Sequence, residues 1–267
     1  GPNLDFNNGK LRFLIRPYDN SFSGFADIKT NNLNVEVNSI FNLTKLIELD
    51  VQTFKSPTQD FNLKYEGENN KFLINANKLS LDSIDIFEED NLKIESFELD
   101  LKIDDFKIGD MKFPNSIIYA KKFNNVFQKI SVSLVGENDF HKLSISEKEA
   151  NKEFILESNY IPGLLNILDL DFNINKGSIK IEGLKKENSE NYEGAIAGKN
   201  IVFFDAPFLA NFFSIFSLDG FAQKLKDGGI IFNNFNAKYK LENDKFKVVD
   251  SLLKGSELGI QFDSVIG

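Results

Sequence analysis

In Phe97-Glu98-Leu99-Asp100-Leu101-Lys102-Ile103-Asp104 an apolar residue stands at every second position and a charged one follows each. A period of two places the four apolar side chains on one face of an extended strand and the four charges on the other. The same alternation runs through Phe72, Ile74 and Ala76; Leu92 and Ile94; Ile130, Val132 and Leu134; Leu143 and Ile145; and Phe154 and Leu156. It returns at Phe172 and Ile174, Ile179 and Ile181, Ile230 and Phe232, Phe235, Ala237 and Tyr239, and Phe246 and Val248. Short strands punctuated by Asn, Gly and Asp predict an antiparallel meander. The apolar positions change from even to odd between Ser96 and Phe97 and return to even by Phe106 and Ile108. Each change would turn the face inside out unless a residue is absorbed, so bulges are expected near both.

Helical signals are few. Residues 40–49 read as a short helix, as do residues 159–168 with Pro162 in the first turn. The strongest signal is Asp205 to Leu218, where Asp205 is placed to cap, Pro207 sits in the first turn and no charge occurs from Ala206 to Leu218. A helix so apolar calls for burial on several sides. At ~1.5 Å per residue it is about 20 Å long, short of a ~30 Å hydrocarbon core. Asp219-Gly220 ends it, and residues 221–226 read as a second short helix.

The 267 residues carry 31 Lys+Arg against 40 Asp+Glu, a formal charge of −9. That balance, with no basic cluster beyond pairs such as Lys121-Lys122, argues against a nucleic-acid partner. With no Cys there is no disulfide framework, thiolate metal site or thiol chemistry. His141 stands alone and reads as a surface or strand-end residue. No nucleophile elbow, phosphate loop or zinc-helix motif occurs. The run Asp169-x-Asp171-x-Asn173-x-Asn175 has calcium-like spacing, but Ile174 and Lys180 stand where a calcium loop needs Gly and an acid. Acidic pairs such as Glu88-Glu89 and Asp104-Asp105 read as solvated turns rather than glycosidase carboxylates. The chain is expected to be no enzyme and to need no metal or cofactor. Gly1-Pro2 at the start is what a tag-removing protease leaves, so the chain reads as a piece of a longer parent.

From about Phe154 onwards the chain resembles the C-terminal region of the AsmA family of bacterial envelope proteins. The resemblance lies in an ordered series. It begins with Leu156-Glu157-Ser158-Asn159-Tyr160-Ile161-Pro162-Gly163-Leu164-Leu165 and continues with the hairpin from Asp171 to Gly183. Next comes Gly198-Lys199-Asn200-Ile201-Val202-Phe203-Phe204-Asp205-Ala206-Pro207-Phe208-Leu209, which looks like a strand leading into an Ala-Pro helix. Ser217 to Phe221, Gly228 to Phe232 and the closing Gly255-Ser256-Glu257-Leu258-Gly259-Ile260 complete it. Lys176 departs from the pattern, standing where many members have Gly. The resemblance implies a periplasmic segment of an inner-membrane-anchored protein, with a β-groove that carries phospholipid between inner and outer membranes and no catalytic residues.

The reading is therefore a mostly β protein: an elongated, twisted antiparallel sheet forming a U-shaped groove, with a few short helices. Residues 3–156 would be the strand-repeat part and 157–267 the AsmA-like part, continuous with it, after a scar at 1–2. The expected partners are phospholipid and, through parts of the parent, the two membranes. Lining falls to Phe97, Leu99, Leu101, Ile103, Ile130, Val132 and Leu134, with Phe212, Phe213 and Phe216 on the helix. The competing reading is a filled β core that serves as a structural spacer or assembly scaffold of the envelope.

Overall fold

The computed structural model describes residues 9–81, 94–148, 151–168, 170, 173–186, 189, 191–204, 223, 225, 228–242, 245–256 and 258–266. The protein is mostly β, and its described strands and helix fall into two compact units, the first reaching Glu137 and the second starting at Asn138.

The first unit holds β1 (Lys10–Tyr18), β2 (Ser21–Lys29), β3 (Asn34–Phe41), β4 (Leu46–Lys55), β5 (Asp60–Glu66), β6 (Lys71–Leu81), β7 (Phe97–Ile108), β8 (Met111–Phe123) and β9 (Val126–Val135). Within it the strands pair in chain order, and each described pair is antiparallel with one exception. β6 and β7 run parallel, from Lys71 opposite Glu98 to Leu81 opposite Ile108. A tight turn cannot join parallel neighbours, and residues 82–96 make this connection. Where the strands are antiparallel the turns are short. Asn124 and Asn125 both take left-handed backbone, with φ of 48° and 63°, which suits the two-residue turn between β8 and β9.

Residues 40–49 are not helical. They hold the end of β3, a turn and the start of β4. The Asn42 carboxamide oxygen accepts hydrogen bonds from the Thr44 and Lys45 amides, both at 2.9 Å, and this local loop satisfies the backbone that a helix would have used.

The return of apolar parity near Phe106 is also absorbed differently from expectation. Ile103 and Phe106 are both buried, at 1% exposure each, although three positions apart. The neighbours match them in register: Ala76 and Ser116 flank Ile103, while Leu79 and Phe113 flank Phe106. On all three strands the two residues between are exposed: Asn77 and Lys78, Asp104 and Asp105, Pro114 and Asn115. Asn115 takes φ +57°, and the Ser116 hydroxyl donates to the Phe113 carbonyl at 2.8 Å. Three strands thus bend together and no register shift arises among them. β5 does not share the bend, and there the ladder with β6 slips by one residue between Asp60 and Phe61.

The second unit holds β10 (Phe140–Lys148), β11 (Asn151–Ser158), α1 (Ile161–Ile167), β12 (Ile174–Lys185), β13 (Tyr192–Phe203), β14 (Ile230–Glu242), β15 (Lys245–Gly255) and β16 (Gly259–Ile266). Its strands are antiparallel and also pair in chain order. α1 lies inside the predicted 159–168 helix, with Pro162 in its first turn. Ile161, Leu164 and Ile167, three apart, form its buried stripe. Asn159 ties the approach to this helix onto the start of β10. Its side-chain oxygen accepts from the Phe140 amide at 2.7 Å, and its side-chain nitrogen donates to the Asn138 carbonyl at 3.1 Å. The predicted helix from Asp205 to Leu218 lies outside the described residues. Of the second, shorter one, Gln223 and Leu225 are helical and the rest lies outside them as well.

Candidate functional site: a continuous apolar face

Residues directly opposite one another on paired strands point to the same side of a sheet. Following the register across the first unit gives one unbroken row of nine: Phe13, Ala26, Val37, Val51, Leu63, Ile74, Leu101, Ile118 and Val132. Every member is apolar. The row beside it carries Leu49, Tyr65, Phe72, Leu99, Ala120 and Ile130, and the row on the other flank Val35, Phe54, Phe61, Ala76 and Ile103. Rings reinforce the face across strands. Phe54 stacks on Phe61 with centroids 4.6 Å apart, and Tyr65 tilts over Phe72 at 4.8 Å.

The seven strand positions expected to line a groove fall on this one face. Leu99 and Ile130 share a row through Ala120, and Leu101 and Val132 share the next through Ile118. Ile103 stands in the third row, and the alternation of β9 puts Leu134 on the same side. Phe97 lies at the face's end, its ring edge-on to Phe127 at 6.1 Å. Their burial divides them. Phe97, Leu99, Leu101, Ile130 and Val132 are half-buried, whereas Ile103 and Leu134 are fully buried. Phe212, Phe213 and Phe216 lie outside the described residues. Reading strand by strand missed the larger part of the face. Phe13, Val37, Val51, Leu63 and Ile118 belong to it, and their signal is the cross-strand register rather than alternation along any one strand.

The second unit builds a similar face and covers part of it. Leu143, Leu156, Ile181, Ile196 and Ala237 form one row. The neighbouring row passes from Ile145 and Phe154 through Gly183 and Gly194 to Tyr239 and Val248. The two glycines make a bare strip over which the Tyr239 ring lies. A Cβ on Gly183 would strike the Tyr239 hydroxyl, and one on Gly194 would come within 2.8 Å of its ring as well as striking the Glu182 carbonyl. Burial raises the Tyr239 pKa, so the phenol stays protonated. A third row begins with His141, Ser158, Ile179 and Gly198, three of them small or polar, beside α1, and continues to Phe235 and Leu253. Farther along, Leu225, Ile230, Phe232, Leu253 and Ile260 close into a buried core, with Phe203 edge-on to Phe232 at 5.8 Å.

His141 is not a surface residue. It is the second residue of β10, but only 3% of it is exposed. Its Nδ1 lies 2.9 Å from the Ser158 hydroxyl oxygen, which also accepts from the Tyr160 amide at 3.1 Å, one residue before α1. A Cβ added to Gly163 of the helix would sit 3.2 Å from His141 Nε2. Burial holds the imidazole pKa below its usual 6.5, against the opposing pull of the Asp139 carboxylate 3.6 Å from Nε2. His141 is thus part of the seat of α1.

The opposite faces carry the charges. Asp27 is approached by Lys29 at 3.4 Å and Arg12 at 3.8 Å, Lys71 meets Glu98 at 3.2 Å, and Lys186 meets Glu193 at 2.9 Å. Asp104 and Asp105 stand exposed at the shared bend, while Glu88, Glu89, Asp169 and Asp171 lie outside the described residues. Among the described residues no three His, Asp or Glu side chains gather as metal ligands do, and no helix is long and apolar enough to cross a membrane. No protein family, curated protein or solved structure matches this chain.

Proposed function

We propose that the apolar face of the first unit shields phospholipid acyl chains while their headgroups stay in water, and that the chain is a periplasmic segment of an AsmA-like, inner-membrane-anchored protein that moves lipid between inner and outer membranes. The observation that carries this reading is the nine-strand apolar row in which Leu63, Ile74, Leu101 and Ile118 stay half-buried, although Val51 is buried. At 4.7–4.9 Å per strand such a row is about 38 Å long. One leaflet of a ~30 Å hydrocarbon core needs ~15 Å of acyl chain, so the row is longer than any single chain it would take. Each methylene removed from water contributes about 0.8 kcal/mol, and such contact is non-directional, so a guest can slide along the row without passing a specific polar site. No bond is made or broken in this scheme, and the chain acts as a passive conduit rather than an enzyme.

The test is native mass spectrometry with lipid extraction on the purified protein, beside an Ile118→Asp variant that sets a carboxylate mid-row. Copurified phospholipid in the parent protein and its loss in the variant would support the reading. Phospholipid absent from both would sink it. One observation favours a second reading, in which the chain is a structural spacer of the envelope. The cluster around Phe232 shows that this sequence can seal part of its apolar face with its own residues. A protein that copurifies without lipid and keeps the Leu101 side chain protected from water would support that alternative.

A further inference from the structure

We infer that the outer edge of β1 is a strand-addition site, and that the strand it takes alternates apolar with acidic residues. β1 pairs with β2 and with no other described strand, and all nine of its residues are exposed, Leu11 at 71% and Phe13 at 68%. The two-residue turn at Asp19 and Asn20 makes Tyr18 and Ser21 a hydrogen-bonded pair. In an antiparallel ladder hydrogen-bonded and non-hydrogen-bonded pairs alternate, so Arg16, Leu14 and Arg12 bond β2. The amide and carbonyl groups of Ile15, Phe13 and Leu11 then face away from the sheet. Those three residues also place their side chains on the apolar face, where Phe13 ends the nine-member row.

Edges kept from pairing carry Lys or Pro, an inward-pointing charge, a bulge or a very short strand. β1 has Lys10 and Pro17 near its two ends, but from Leu11 to Ile15 its apolar side carries none of these. Its charges, Lys10, Arg12 and Arg16, all fall on the other side, and no acid accompanies them. Three cations on one edge of a chain with net charge −9 form a local reversal of sign. Asp27 approaches Arg12 at 3.8 Å and Lys29 at 3.4 Å, but the Arg12 side chain remains 74% exposed. A second copy of the chain fits this edge poorly. The two-fold register centred on Leu14 opposes Arg12 to Arg16 twice, and the one centred on Phe13 opposes Lys10 to Arg16 twice. Like charges directly opposite are destabilising. An added strand with acids between its apolar residues would instead meet Leu11, Phe13 and Ile15 on one side and the three cations on the other. Pro17 has no amide to offer, which limits the paired stretch to residues 10–16.

The experiment measures binding of the intact chain to three labelled nine-residue peptides by fluorescence anisotropy. One alternates valine and glutamate, the second replaces glutamate with lysine, and the third carries proline at the centre of the glutamate peptide. The glutamate peptide should bind at least tenfold tighter than either control, weaken as salt rises, and slow hydrogen exchange at the Leu11, Phe13 and Ile15 amides. In the double variant Arg12→Glu with Arg16→Glu the lysine peptide should become the tighter ligand, and this reversal would not follow from misfolding. Equal affinities, no binding, or protection confined to other strands would each overturn the proposal. So would sedimentation showing that the chain alone dimerises through β1.

Discussion

Leu101 in the first unit and Phe232 in the second both sit on the apolar face of a strand with neighbours on each side, yet Leu101 keeps part of its surface and Phe232 keeps none. Strand patterning is the same in both places. What differs is the third dimension. Around Phe232 the chain supplies Leu225 from outside the sheet, and α1 packs at another part of that unit. In the middle of the first unit, by contrast, Leu63, Ile74 and Leu101 keep part of their surface, although Val51, Ala76 and Ile103 beside them are buried. Alternation therefore specifies which side of a sheet is apolar, and separate segments of sequence determine whether that side is covered.

The comparison is broken most directly by truncating both residues. Phe232→Ala should destabilise its region by about 3–5 kcal/mol, since it removes a buried ring and leaves a cavity. Leu101→Ala should cost only about 1–2 kcal/mol, because half-burial forfeits part of the transfer term. Hydrogen exchange at β14 and β7 amides reads both in one molecule, which two units under a single melting transition would not allow. Equal losses would mean that the first face is as sealed as the second. The next effect concerns the Tyr239 cradle. Gly194→Ala should cost about 1–3 kcal/mol by forcing the ring and the Glu182 carbonyl apart, and Tyr239→Leu should recover part of it. Exchange rates in β13 would report both changes.

A pH-gated effect follows from His141. Its folded pKa is depressed, so the unfolded chain takes up the proton first. Stability of the α1 region should be full above about 6.5 and should decline as pH falls from there towards the lower folded value. The first unit has no histidine and should show no such step. His141→Asn should flatten the profile, and a parallel decline in β2 amides would contradict the assignment. The smallest change is expected at the parallel joint, where Lys71→Met removes a half-exposed ion pair with Glu98. Such pairs contribute little, and exchange in β6 and β7 should be unaltered.

Much of this was legible from residue order, for a physical reason. Period two is local, and the strands around Phe72, Phe97, Ile130, Ile179 and Phe235 stand where alternation put them. Pairing direction is not local. Nothing in Lys71 to Leu81 or in Phe97 to Ile108 announces that these strands run parallel, because direction depends on the route of the connection. Residues 40–49 misled for the reverse reason: their apolar spacing fits a helix, and the Asn42 side chain decides for a turn. The burial of His141 was equally hidden, since it depends on a helix that begins 20 residues later. The face itself was half legible. The residues on β7 and β9 were found one strand at a time, while Val37, Val51 and Leu63 emerge only once register aligns them.

The synchronous bend at Ala76–Leu79, Ile103–Phe106 and Phe113–Ser116 constrains how such a sheet can change over evolutionary time. Losing one codon from any single member would reverse inside and outside for every residue beyond it on that strand alone. Insertions and deletions here are tolerable only as matched sets in adjacent strands, or where a slip such as the one beside β5 already separates a strand from the group.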